Sequence, residues 1–219
     1  MSWEDSNACT PLKRDFLRAW FARETRYFLT GGSALGLFYL DHRRSYDLDL
    51  FTTQNVEPAE VRNLIHRVAE AIGAGYEAIR TAPGFQRFQL TRDAESELVD
   101  VVIDRAPQLD AEKAEIEGIR VDTPREIIAN KFATLLSRAE TKDLVDLYFL
   151  ERAGHDLLGA IPDAKAKDGG WDPAMVSMVL DNLRSAELPA LLLKDLGAKD
   201  LEAFIDRLRL AIADLVLPK

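Results

Sequence analysis

Phe28-Leu29-Thr30-Gly31-Gly32-Ser33-Ala34-Leu35 and, separated from Ser33 by thirteen intervening residues, Asp47-Leu48-Asp49-Leu50-Phe51 form the stretch on which the fold turns. The run Tyr27 to Thr30 reads as a short strand, and Gly31-Gly32 breaks it. Ser33 is placed to cap a short helix over Ala34 to Leu40. A polar loop, Asp41 to Tyr46, then leads into a segment where polar and apolar residues alternate, the pattern of a half-buried strand. On that strand Asp47 and Asp49 project from one face, roughly 6.5–7 Å apart along the backbone, while Leu48 and Leu50 turn into the core.

Working outward, Pro11 opens a helix whose Phe16, Trp20 and Phe21 recur at helical spacing. A second helix, about Pro58 to Ile72, gathers Val61, Leu64, Ile65 and Val68 on one side. Three strands follow, Tyr76 to Thr81, Phe85 to Thr91 and Leu98 to Asp104, the first two joined as a hairpin around Ala82-Pro83-Gly84. The pattern changes near residue 122. Thr123-Pro124-Arg125-Glu126 has the residues of a capping box and starts a helix reaching Ser137 or Arg138. Another helix runs from Lys142 to Arg152, and Gly154, Pro162 and Gly169-Gly170 mark loops before helices near 172–183, 187–195 and 198–215. The expected fold class is α+β: residues 1–122 form a mixed sheet flanked by helices, and residues 123–219 form a helical subdomain that completes a cleft.

The chain has 219 residues, 47% hydrophobic and 30% charged, a composition that excludes a disordered tail or a low-complexity linker. Its apolar runs fall far short of the roughly 18–20 residues a bilayer crossing needs. Residues Met1 to Asp15 carry Glu4, Asp5 and Asp15 and no apolar signal core, so a cytoplasmic location is expected. The single Cys9 allows no internal disulfide. A net charge of −9 argues against a protein that coats nucleic acid, whose affinity comes from neutralising phosphates. Residues 11–46 nevertheless hold seven Lys and Arg against three Asp and Glu, a locally basic stretch within an acidic whole.

Two carboxylates on one strand face can converge on divalent cations, and Mg²⁺ combines carboxylate oxygens with waters and substrate phosphates. A Gly-Gly-Ser turn running into a helix offers backbone N–H groups and a hydroxyl to a triphosphate. Both features suit a metal-bound nucleotide. His66 and His155 lack a Cys or His at metal-ligand spacing, so no zinc site is expected, and Trp20, Phe21, Phe38 and Tyr39 sit at packing positions.

In the order strand, Gly-Gly-Ser, helix, loop, Asp-Leu-Asp strand, the chain resembles the nucleotidyltransferase superfamily typified by DNA polymerase beta, and within it the AbiEii/AbiGii toxin family. Three segments carry the resemblance: Phe28 to Leu35, His42 to Phe51, and Lys142-Asp143-Leu144-Val145-Asp146-Leu147-Tyr148. The resemblance implies a Mg²⁺-dependent enzyme that transfers a nucleotide from an NTP with release of pyrophosphate. It also implies the toxin of a type IV toxin–antitoxin or phage-defence pair, with a cognate antitoxin and RNA, tRNA 3′ ends in particular, as acceptor. The alternatives are a small hydroxylated acceptor, a protein side chain, or an idle nucleotide-binding module.

The superfamily further implies a third carboxylate on a neighbouring strand. Asp100, amid Val99, Val101 and Val102, is the first choice, because a buried carboxylate is costly unless it binds a cation or pairs with an arginine; Asp104 is the alternative. The metal ligands are then Asp47, Asp49 and Asp100. Gly32, Ser33, Arg43 and Arg44 are assigned to the nucleotide, a guanidinium being suited to bidentate grip of phosphate, and His42 and Ser45 to the loop that shapes it. Glu126 and Lys131 match the family's Glu-x-x-x-x-Lys element, and Asp143 and Asp146 its Asp-x-x-Asp element. On that match Lys131 and Asp146 join the catalytic set, and Lys131 and Asp143 the nucleotide-binding set.

Overall fold

The structure is a computed structural model that describes residues 2–183, 188 and 191–215. The chain divides into two compact units: residues 1–105 with 112–123, and residues 106–111 with 124–219.

The first unit is built on a seven-stranded mixed sheet. Its strands are β1 (Phe28–Thr30), β2 (Asp47–Thr52), β3 (Gly75–Ala82), β4 (Phe85–Arg92), β5 (Glu95–Ile103), β6 (Ala114–Ile116) and β7 (Ile119–Val121), in the order β3-β4-β5-β2-β1-β7-β6. β2 runs antiparallel to β1 and parallel to β5, and β3-β4-β5 is an antiparallel meander. Two-residue turns at Pro83-Gly84 and Asp93-Ala94 fix that meander's register.

Period-two burial divides the sheet faces. Leu48, Leu50, Phe88, Leu90, Val99 and Val101 are buried on one face, which packs on α1 (Pro11–Phe21) and α3 (Pro58–Ala71). Phe16, Leu17 and Trp20 from α1 and Leu64, Ile65 and Val68 from α3 are fully or almost fully enclosed, each contributing about 1.5–3 kcal/mol by burial. The other face carries Asp47, Asp49, Arg87, Phe85 and Asp100.

Between β1 and β2 the helix starts three residues earlier than its capping pattern suggests. α2 spans Gly31–Ala34 and continues as a π-helical segment, Leu35–Leu40. Ser33 is therefore inside the helix, not its cap, and its hydroxyl donates to the Thr30 carbonyl at 3.2 Å. The hairpin β6-β7 was not anticipated, because two three-residue strands show too little alternation to read; Glu117-Gly118, both at positive φ, turns it.

The second unit is helical: α4 (Pro124–Thr134), α5 (Thr141–Arg152), α6 (Ile161–Lys167), α7 (Pro173–Asn182) and α8 (Ala198–Ala213). α4 ends before Ser137, and α6 occupies a region read as loop. Pro162 sits in the first turn of α6, where a missing N–H costs nothing. The helix expected over 187–195 falls partly outside the described residues, and 191–195 are not helical. Fully buried Glu126 accepts from the backbone N–H groups of Leu109 and Asp110, both at 3.0 Å, and pairs with buried Lys167. That carboxylate ties 106–111 to the helical unit. Trp171 donates to the Phe132 carbonyl at 2.9 Å and packs edge-on against its ring. Among the described residues no helix is long and apolar enough to cross a membrane.

Candidate active site

Parallel pairing of β2 with β5 places Asp49 directly beside Asp100, with Asp47 two residues earlier on the same face. Asp47, Asp49 and Asp100 each offer an oxygen within 4.8 Å of the others. Asp104 lies just past β5, its N–H bonded to the Thr52 carbonyl at 2.8 Å, and is not part of this group. Asp100 is therefore the third carboxylate of the cluster.

Three like charges so close repel one another, and the sheet supplies a counter-charge from β4. Arg87, opposite Asp100 in the antiparallel register, donates from Nε to Oδ1 and from Nη2 to Oδ2, both at 2.6 Å, and its Nη2 lies 3.8 Å from Asp47. The bonds to Asp100, with the charges of Asp47 and Asp49, raise the Arg87 pKa above its usual value. Of the two expected alternatives for Asp100, the structure holds the arginine partner, within a carboxylate group whose oxygens are close enough to share a cation.

The Gly-Gly-Ser turn closes on the cluster from β1. Gly31 adopts φ +66°, and a Cβ there would lie 2.5 Å from Asp49 Oδ2, so backbone and carboxylate both require glycine. The Asp49 N–H reaches the Ser33 hydroxyl at 3.5 Å. Gly32 leaves room for the Arg43 guanidinium, which is buried against it. Arg43 also donates to the Arg44 carbonyl at 3.1 Å, whereas Arg44 is exposed and donates to the Asn7 carbonyl at 3.0 Å. His42 is fully buried.

A further arrangement holds the loop before Asp47. Lys13, on α1 and nearly fully buried, donates to the Ser45 carbonyl at 2.8 Å and pairs with Glu97 on β5 at 3.2 Å, while Thr10 donates to Glu97 at 2.8 Å. Burial pushes the Glu97 carboxyl up, against the charge of Lys13. The Ser45 hydroxyl in turn donates to Asp47 Oδ1 at 3.0 Å. Neither Arg87 nor Lys13 and Glu97 were marked from sequence; recognising Asp93-Ala94 as a two-residue turn would have set Arg87 across from Asp100.

In the second unit Lys131, buried on α4, pairs with two carboxylates of α5, Asp143 at 2.9 Å and Asp146 at 2.5 Å. The Glu-x-x-x-x-Lys and Asp-x-x-Asp elements are thus joined through Lys131, while Glu126 serves the 106–111 segment.

The donor set of three carboxylates, with no thiolate or imidazole, fits a hard divalent cation. The profile of the family described as nucleotidyl transferase AbiEii toxin, type IV toxin–antitoxin system, matches residues 15–216. The chain belongs to the AbiEii family. The match extends well past Tyr148, where the legible motifs end. As an AbiEii member the protein is a nucleotidyltransferase toxin of a type IV toxin–antitoxin system, a class that works with an NTP and, in general, a divalent metal, and whose members have an antitoxin partner. No curated protein matches. Two Helicobacter pylori structures share the fold. A candidate nucleotidyltransferase is 22% identical, with a TM-score of 0.60, over 94% of this chain and 96% of its own. The protein JHP933 is 23% identical, with a TM-score of 0.63, over 94% and 90%.

Proposed function

We propose that this AbiEii protein transfers a nucleotidyl group from a Mg²⁺-bound NTP to the 3′ end of an RNA, tRNA being the favoured acceptor, in the cytoplasm and in the service of phage defence. The observation that carries the reading is the meeting of Asp47, Asp49 and Asp100 within 4.8 Å, beside a glycine turn that only Gly31 can make. Asp47, Asp49 and Asp100 would hold the metal, which when bound supplies charge neutralisation at the phosphates and activation of the attacking oxygen.

The chain's own residues do the rest. The backbone at Gly32 and Ser33, with the Arg43 and Arg44 guanidiniums, orients the triphosphate. Lys13 and Glu97 keep the Ser45 loop, and through Ser45 the Asp47 carboxylate, in place. An acceptor oxygen bonds to the α-phosphorus, the bond to pyrophosphate breaks, and the hydroxyl proton leaves toward the carboxylate cluster. Lys131, Asp143 and Asp146 are assigned to catalysis and nucleotide binding on the family's elements.

The test is Asp47→Ala. The variant should keep its circular dichroism spectrum and melting cooperativity, and lose at least about a hundredfold of NTP-dependent labelling of RNA, the scale set by removing one charge-stabilising group. Undiminished labelling by that variant would refute the assignment. Supplying RNA, protein extract and a polyhydroxylated small molecule in parallel identifies the acceptor.

A further inference from the structure

We infer that the exposed face of β3 and β4 beside Asp100, formed by Phe85 and Arg80 next to Arg87, is the acceptor subsite and takes the single-stranded end of a polynucleotide. The inference rests on the reading of Asp47, Asp49 and Asp100 as the transfer centre, and names what docks next to it.

Register sets the geometry. One row across the sheet runs Arg80, Arg87, Asp100, Asp49, and the next runs Ala82, Phe85, Val102, Phe51, Phe28. A cationic row leading into the carboxylates therefore lies alongside a row containing three phenylalanines. The Arg80 and Arg87 guanidinium carbons lie 5.7 Å and 5.9 Å from the centroid of the half-buried Phe85 ring. Arg87 is already engaged with Asp100. Arg80 is exposed, and among the described residues it makes no ion pair; its contact is the Phe85 ring. Glu77 sits one row further away, across from Gln89.

Direction comes from the chemistry. The Gly31-Gly32-Ser33 turn follows β1, on one side of Asp49 and Asp100, and Arg80 and Phe85 lie on the other side, since the sheet order is β3-β4-β5-β2-β1. In an in-line displacement the attacking oxygen enters opposite the departing pyrophosphate. With the triphosphate held at the Gly31-Gly32-Ser33 turn, as proposed above, the pyrophosphate leaves on the β1 side and the acceptor approaches over β4 and β3. β3 stands about 10 Å from β5 at ordinary strand spacing, the reach of the residue next to the reacting end. An aromatic ring with guanidiniums at its edge matches a base and its phosphate, and the aromatic contact tolerates any base. A small uncharged acceptor has no use for Arg80, which is why the polynucleotide is chosen.

The experiment uses the full chain and a fluorescent eight-nucleotide single-stranded RNA with a free 3′-hydroxyl, followed by anisotropy. Arg80→Gln and Phe85→Leu should each weaken binding about five- to tenfold, and Arg80→Gln should reduce the slope of log affinity against log salt by about 0.7. The thermal shift given by Mg²⁺ and a non-hydrolysable NTP should be unchanged in both, which shows that they fold and keep the nucleotide site. Because binding is read without NTP or turnover, RNA affinity that depends on Arg80 and Phe85 in a protein that transfers no nucleotide would refute the catalytic reading and leave the subsite standing, so the two failures are distinguishable. Equal RNA affinity in all proteins, absence of RNA binding by the unmodified protein, or loss of the NTP shift in the β3-β4 variants would each overturn the inference.

Discussion

Arg87 grips both oxygens of Asp100, and that fork determines how three clustered carboxylates coexist before a cation arrives. A planar guanidinium satisfies a carboxylate bidentately and fixes its rotation, which an ammonium cannot do. Arg87→Met keeps the aliphatic stem and removes the charge. Because the side chain is about a third exposed, solvent screening limits the loss to about 1 kcal/mol, which for a chain of this length lowers the metal-free melting temperature by about 2–4 °C. Mn²⁺ should then stabilise the variant more than it stabilises the unmodified protein, since the cluster has lost its internal counter-ion. Differential scanning fluorimetry with and without Mn²⁺ reads both effects, and identical melting curves for the two proteins would show the fork to be inconsequential. Cys9 gives a second residue-scale expectation. Burial pushes its thiol up to about 11 from 9.0, so at pH 8 it should be alkylated about a hundredfold more slowly than an unperturbed thiol. Iodoacetamide kinetics followed by intact mass check it, and a rate like that of free cysteine would contradict it.

At the scale of the element, α2 is four residues long, and each of its two glycines does a different job. Gly31 is held at φ +66°, which costs a residue with a Cβ about 1–2 kcal/mol, and the added atom would also collide with Asp49. Gly32 has ordinary backbone angles, and its substitution meets the end of the Arg43 side chain instead. Gly31→Ala should therefore lower the melting temperature more than Gly32→Ala, while both weaken NTP affinity, one by moving a carboxylate and the other by moving a guanidinium. Equal melting temperatures would refute this division. The same element shows where sequence reading stops. Asp47-Leu48-Asp49-Leu50 alternates cleanly, so β2 and its carboxylate face were legible from spacing alone. The start of α2 was not, because a positive φ at Gly31 lets the chain turn into the helix before Ser33, and nothing local distinguishes that from a cap. Asp100 was legible through the cost of burying it, but its partner Arg87 is a property of strand register.

Across the whole molecule, periodicity made the meander β3-β4-β5, α1, α3 and α5 readable, while β6, β7 and α6 were too short or too proline-marked to stand out. The ionic and hydrogen-bonded contacts of the carboxylates, some between neighbours in sequence and some across the fold, were equally invisible, and they set the acid stability. Burial raises Asp15, but hydrogen bonds from Arg92 and Arg14 outweigh it and hold the carboxyl below its usual value. The bonds from Arg26 lower Glu24, and those from Arg125 lower Asp163. For Asp41, hydrogen bonds from Ser6 and Asn7 overcome burial, again lowering it. A carboxyl with a depressed folded pKa contributes stability above its unfolded value and loses it as pH falls through the folded one. Glu97, raised by burial, has the opposite sign: its contribution is complete in acid and disappears as pH rises through its folded pKa. Four lowered groups against one raised group predict a melting temperature nearly flat from pH 7 to about 5 and falling steadily below about pH 4.5, where the unfolded carboxyls begin to take up protons. Glu24 and Asp163 lie in different units, so both should weaken in acid. Arg125→Gln should flatten the acid limb through Asp163 only slightly, because that pair is exposed, whereas Arg26→Gln, which releases Glu24, should flatten it more. Calorimetry from pH 3 to 7 decides the point, and a stability that rose as pH fell from 5 to 3 would contradict the sign of every lowered group.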